Sequence, residues 1–146
     1  MIISTKNLQQ AKNQIKSSKH PIVVRAQNQE FNRKILEYGK FDVLLDIQNT
    51  EGKDKLKQLN SGLNHVLAKI AAKNKVAIGI DLSGLRSIKD KKQKAKTLAR
   101  IKANIQTCRK AKCLLTAINY KDKKDALELL ISLGASTQQA KEATAQ

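Results

Sequence analysis

The chain has 146 residues, with 29 lysines and arginines against 12 acids, a formal net charge of +17 and a pI of about 10.1. That length sets a single domain spanning residues 1–146 as the expectation, and the charge sets a polyanion as the expected partner, because surfaces built only for solubility mix both signs. No apolar run reaches 18 residues, so no segment spans a bilayer, and the start (Met1-Ile2-Ile3, then Lys6) lacks a signal-peptide pattern; nucleic acid in the cytoplasm is expected rather than membrane.

In chain order, strands and helices alternate. Ile2 to Ser4 is a short apolar run, and Thr5 is placed to cap a helix with Leu8, Ala11 and Ile15 on one face. Pro21 ends that stretch and opens the β-branched run Ile22-Val23-Val24. Asn28 caps a second helix carrying Phe31, Ile35 and Leu36, and Gly39 stops it. Phe41 to Ile47 is the third strand. The polar, charged span from Asn49 to Ser61 reads as a loop with room for one helical turn. Leu63, Val66, Leu67, Ile70 and Ala71 then follow the spacing of a core-facing helix. Val76 to Leu82 is the fourth strand, and Ser83-Gly84 is expected to turn the chain. A long helix follows from about Lys89 to Lys110, then a fifth strand from Cys113 to Ile118. A helix from Asp122 to Leu133 closes at Gly134, and Ser136 with Gln139 forms a capping box for a last short helix.

Repeated βα units predict an α/β protein with a parallel sheet and right-handed crossovers. Strands that are nearly continuous in apolar residues suit a sheet covered on both faces. About five strands cannot close an eight-stranded barrel, which leaves an open sheet or an incomplete, TIM-barrel-like wall.

The long basic helix is the most informative segment. Between Arg86 and Lys112 there are 11 lysines or arginines and one acid, Asp90. On a helical wheel Leu98, Ile101, Ile105 and Cys108 form an apolar stripe, and Lys89, Lys92, Lys96 and Arg100 fall nearly opposite, with Lys110 continuing that side. Their repeat, about 5.4 Å per turn, suits a row of phosphates. Most charged helix faces are merely solvated, but those mix glutamate with lysine at i, i+4, and this one does not. Lys102 and Arg109 add to the cationic set. Arg25 and Arg86, at strand ends, suit bidentate phosphate contacts, with an ion pair as the competing role for Arg25. Aromatic residues make up only 3% of the chain, which weakens a base-stacking platform of the RRM or OB kind. Cys108 and Cys113 read as small buried hydrophobes.

Catalytic patterns are sparse. The two histidines, His20 and His65, form no metal-binding spacing. Asp46 and Asp81 fall at strand C-termini, where barrel enzymes keep their chemistry, but isolated carboxylates there more often satisfy backbone donors. A small divalent-metal phosphoesterase using Asp46, Asp81 and His65 remains a weaker alternative.

The stretch Gly62-Leu63-Asn64-His65-Val66-Leu67-Ala68-Lys69, followed by Asn74-Lys75-Val76-Ala77-Ile78, resembles the family of archaeal ribonuclease P protein component 3 and its eukaryotic relatives. Ile22-Val23-Val24-Arg25 with Asn32-Arg33-Lys34-Ile35-Leu36-Glu37, Phe41-Asp42-Val43-Leu44-Leu45, Asp81-Leu82-Ser83-Gly84-Leu85-Arg86 and Arg100-Ile101-Lys102-Ala103-Asn104-Ile105 resemble further family segments in the same order. Gly84 stands where the family pattern has proline, the loop after the fifth strand is shorter, and two further βα units usually precede the first matched one.

The resemblance implies a TIM-barrel-like fold related to the PHP phosphoesterases and a non-catalytic subunit of an RNA-based endoribonuclease. The RNA subunit would remove the 5′ leader of precursor tRNA with Mg²⁺, the protein binding no cofactor of its own. The implied partners are the ribonuclease P RNA, precursor tRNA indirectly, and the other protein subunits, especially a small α/β partner in a heterotetramer. A generic basic RNA-binding scaffold is the runner-up, separable by competition with unrelated nucleic acid. The expected RNA-binding set is Arg25, Arg86, Lys89, Lys92, Lys96, Arg100, Lys102, Arg109 and Lys110, with no catalytic and no metal-binding residues.

Overall fold

The computed structural model describes residues 2–50 and 60–145. It is built from β1 (Ile2–Ile3), α1 (Leu8–Ser17), β2 (Val23–Arg25), α2 (Gln29–Tyr38), β3 (Val43–Leu45), a 3-10 turn (Ile47–Asn49), α3 (His65–Lys73), β4 (Ala77–Asp81), α4 (Leu82–Arg86), α5 (Lys91–Ala111), β5 (Leu115–Ile118), α6 (Lys123–Ser132) and α7 (Thr137–Ala143). The strands form one five-stranded, all-parallel sheet in the order β1-β2-β3-β4-β5. Strand order equals sequence order, with no reversal at which a doubly wound sheet would change face. This is the winding of a barrel wall, and the expected α/β class with an incomplete barrel-like sheet is the observed one.

Register decides what each face carries. Ile3, Val24, Leu44, Ile78 and Leu115 lie in one row across the sheet, and side chains two residues on share its face. These residues, with Ile80 and Ala117, are buried against the helices. Ala11, Ile15, Phe31, Ile35, Leu36, Leu67 and Ala71 cover the first part of the row; Leu82, Leu85, Ile101, Ile105, Ala126, Leu130 and Ala140 cover the second. On the opposite face run two rows, Ile2, Val23, Val43 and Ala77, then Arg25, Leu45, Gly79 and Thr116. A Cβ on Gly79 would fall 2.5 Å from Val43 Cγ1 and 3.2 Å from Leu45 Cδ1, so the inner surface closes over a position only glycine fits.

Helix ends follow their local sequence. Asn28 accepts from the Phe31 amide and Gly39 closes α2 with a φ of 66°. Ser136 and Gln139 form the expected capping box. Three expectations shift, and a fourth is not reached. Asn7, rather than Thr5, caps α1 by accepting from Gln10 N, while Thr5 accepts from Asn7 N. Ser83-Gly84 lies inside the short helix α4 instead of a turn, because Asp81 accepts from the Ser83 and Gly84 amides and so starts a helix there. Val66, expected in the core, is 57% exposed, because the buried side of α3 is Leu67, Ala68 and Ala71. The loop expected over 49–61 falls largely on 51–59, outside the described residues. Cys108 and Cys113 are buried free thiols, as their type suggested.

Candidate nucleic-acid interface

α5 starts after Asp90, whose carboxylate accepts from the Lys92 amide, and ends where Lys112 turns left-handed at φ 59°. The buried residues of the helix are Thr97, Arg100, Ile101, Asn104, Ile105 and Cys108, an i, i+3, i+4, i+7 pattern in which three members are polar. The expected apolar stripe is therefore rotated, with Leu98 only half-buried at its edge. The rotation moves one expected RNA contact. Arg100 is 6% exposed and does not lie on the outer row. Its guanidinium donates from Nη1 to the Gln48 carbonyl at 3.2 Å, and one turn on Asn104 Nδ2 donates to the Ser61 carbonyl at 3.1 Å. The helix needs these polar groups inside because backbone carbonyls of the irregular chain after β3 face it, and a buried carbonyl requires a donor. Sequence reasoning missed this role for Arg100 and Asn104. Its one signal was that both fall in phase with Thr97, Ile101 and Ile105.

The remaining cations are outside. Arg86, Lys89, Lys92, Lys96, Lys102, Arg109 and Lys110 are all exposed. Among the described residues no lysine of α5 joins an ion pair. Lys92, Lys96 and Lys110 stand on the outer side of the helix, and Lys102 flanks them. Arg109 is on the surface but occupied: Nε donates to Gln139 Oε1 at 3.3 Å and Nη2 donates to the Gly134 carbonyl. Gln139 in turn donates to the Ile105 carbonyl, so Arg109 ties α5 to the start of α7.

Arg25 lies elsewhere, at the C-terminal end of β2, in a cleft of ≈ 430 Å³ shared with Asp46 and Asp81 at the ends of β3 and β4. Arg25 Nη1 meets Asp46 Oδ2 at 3.1 Å, the ion pair weighed above, with 38% of the Arg25 side chain still exposed. Asp46 Oδ1 also accepts from the Asp81 amide and from Gln48 Nε2, both at 3.1 Å. Burial pushes the Asp46 carboxyl above its usual range; the Asp81 amide, Gln48 and Arg25 oppose the shift without cancelling it. Burial pushes Asp81 the same way, but hydrogen bonds from Ser83, Gly84 and Asn119 outweigh it, and Asp81 lies below its usual range. His65 does not line this cleft. Among the described residues, no group of three or more His, Cys, Asp or Glu is placed to hold a metal ion, and no helix is long and apolar enough to cross a membrane.

A sequentially wound parallel βα wall, with a helix on its outside whose exposed lysines meet no carboxylate among the described residues, defines a barrel-type α/β protein with a basic outer surface. Comparison with known proteins narrows that class. The family model described as RNase P subunit p30 matches residues 1–146, and the chain belongs to that family. A relative from Methanosarcina mazei, named Ribonuclease P protein component 3, is 38% identical over 95 residues, which is 65% of this chain and 36% of the relative. The fold matches one chain of a cryo-EM structure of archaeal ribonuclease P with mature tRNA, with a TM-score of 0.78 and 25% identity over 99% of this chain and 64% of that one. The match thus spans about a third of the length of the curated relative and about two thirds of the structural one.

Proposed function

We propose that this chain acts as a protein subunit of ribonuclease P, binding and bracing the catalytic RNA during removal of the 5′ leader from precursor tRNA. The observation that carries the reading is the exposed lysine set of α5 (Lys92, Lys96, Lys102 and Lys110), which no carboxylate of the described residues neutralises. Such a row releases counterions from a phosphate backbone and carries no sequence preference of its own. Lys89 and Arg86 extend it past the N-terminal end of the helix. Arg109 contributes charge while holding α7, and Arg25 contributes from the separate cleft.

Catalysis belongs, on this reading, to the RNA with its Mg²⁺. Asp46 and Asp81 support that assignment because they are engaged, one in an ion pair with Arg25 and the other as the cap of α4, and His65 does not join them. The other ribonuclease P protein subunits, a small α/β partner among them, are the proposed protein partners, and the cytoplasm the proposed compartment.

The test is cleavage of precursor tRNA by the cognate RNA and the other protein subunits at low Mg²⁺, with and without this chain. The chain is expected to lower the Mg²⁺ requirement, and Lys92→Ala, Lys96→Ala and Lys102→Ala together to blunt that effect. Unchanged cleavage, with equal binding to unrelated RNA and DNA, would establish a generic basic scaffold instead.

A further inference from the structure

The cleft at the ends of β2, β3 and β4 is not needed for phosphate contacts along α5, and its lining has a chemistry of its own. Leu85 and Ile88 give it an apolar side. Most of its polar groups are spent within the protein: Gln48 donates to Asp46, Asp81 accepts from Ser83 and Gly84, and the Thr97 hydroxyl donates to the Gln93 carbonyl. The side-chain amides of Asn49 and Gln93 differ. Both line the cleft, both residues are exposed, and neither side chain has a hydrogen-bond partner among the described residues. A primary amide presents a donor and an acceptor side by side, the pattern that a nucleobase edge complements. Arg25 commits Nη1 to Asp46 and retains further guanidinium donors. Arg86 and Lys89, each next in sequence to the apolar residues Leu85 and Ile88, are exposed. A volume of ≈ 430 Å³ is within the range of small-ligand sites.

A ligand with flat apolar faces, paired donors and acceptors along its edge and an attached anion is a nucleotide. We propose that this cleft takes one unpaired nucleotide of a bound RNA strand. Its base lies against Leu85 and Ile88, its edge meets Asn49 and Gln93, and its phosphate is held by Arg25 with Arg86 or Lys89. The proposal deepens the ribonuclease P reading and rests on it. An unpaired nucleotide suits the site best, because extruding a paired base costs unstacking and unpairing energy. With no aromatic ring in the lining, stacking adds little, so recognition depends on the two amides.

The four nucleoside 5′-monophosphates and inorganic phosphate are titrated separately into the isotope-labelled full chain, and amide NMR shifts are followed. At least one nucleotide is expected to move the Asn49 and Gln93 side-chain signals together with the Gly84 amide, where inorganic phosphate does not. The exposed changes Asn49→Leu and Gln93→Leu together are expected to weaken that nucleotide at least fivefold, while Gln106→Leu on the outer side of α5 leaves it unchanged. Identical shifts with inorganic phosphate, or shifts confined to the α5 lysines, overturn the nucleotide site. A parallel titration with folded RNA separates the two readings. Salt-dependent RNA binding that persists while no nucleotide enters the cleft removes only this proposal; loss of all RNA binding by the unaltered chain removes the function reading and the RNA-strand assignment with it.

Discussion

The two sides of α5 carry the same kind of residue and use it in opposite ways. Inward, Arg100 is nearly sealed and spends its guanidinium on the Gln48 carbonyl, beside Asn104 on the Ser61 carbonyl. Outward, Lys92, Lys96 and Lys102 are exposed and meet no carboxylate of the described residues. A cation in the interior is tolerated only where acceptors are fixed around it, and it then organises the backbone. A cation left without an internal acceptor on a surface of one sign raises the local potential and is available to a polyanion. Charge count along a helix does not separate these uses; the position of the acceptor does.

The sharpest way to break the comparison is Arg100→Ala. It leaves the Gln48 carbonyl without this donor and removes the packing of a long side chain, and we expect a loss of about 2–3 kcal/mol, a fall in Tm of roughly 5–10 °C. Arg100→Lys should recover little, since one ammonium does not reproduce the guanidinium fork. Thermal unfolding of both variants checks this, and a Tm equal to the unaltered chain for Arg100→Ala would show the buried arginine to be dispensable.

The outer side should respond in the opposite sense. Lys92→Ala, Lys96→Ala and Lys102→Ala together should leave Tm within a degree or two, because exposed lysines without partners contribute little to folding. RNA affinity should fall about 10- to 30-fold at low salt, and the slope of log K against log salt should become shallower by about 2–3. A triple variant that loses Tm but keeps its salt slope would reverse the assignment of the two faces.

Arg25 is intermediate, half-exposed and paired with Asp46, and pH sharpens its place. Because burial holds the folded Asp46 carboxyl above its usual value of 3.8, the native state keeps that proton to higher pH than the unfolded chain. Its contribution to stability therefore falls as pH rises from 3.8 through the raised value, then levels off. Asp81 runs the other way: its folded value is depressed, so its contribution is full above 3.8 and is lost as pH falls below it. Asp46→Asn removes only the first effect. Urea midpoints from pH 3.5 to 7 should show the unaltered chain losing ground to Asp46→Asn as pH rises above 3.8; parallel curves would mean that burial does not govern this carboxyl.

What the sequence revealed, and what it concealed, follows the same division. The βα alternation, the Asn28 cap, the Gly39 stop and the Ser136–Gln139 box rest on neighbours a few residues away, and all are observed. α4 was hidden because Gly84 signals a turn, whereas the Asp81 carboxylate, fixed at the end of β4, sets the helix start. The 3.6-residue period places Val66 inward, but the buried side of α3 is narrow and holds only Leu67, Ala68 and Ala71. A helical wheel places Arg100 outward because it has no term for a carbonyl 52 residues away. The cleft is the extreme case. Asn49 and Gln93 belong to no motif, and only the fold brings them to the same opening as Arg25.

Arg109 tests the boundary between the two uses with the smallest expected effect. It is exposed like the lysines, yet its guanidinium already holds the Gln139 side chain and the Gly134 carbonyl. If that strut is its main role, Arg109→Ala should cost roughly 0.5–1.5 kcal/mol, quicken hydrogen exchange at the Ala140 and Ala143 amides of α7, and leave the RNA salt slope unchanged. Arg109→Lys should keep the slope while recovering only part of the protection, since an ammonium does not span both acceptors in the guanidinium geometry. If phosphate binding is the main role, Arg109→Ala should instead lower the salt slope by about 1 while α7 exchange stays as it was. The two outcomes place Arg109 with Arg100 or with Lys96, and so fix where along α5 structural use of cations gives way to their use in binding.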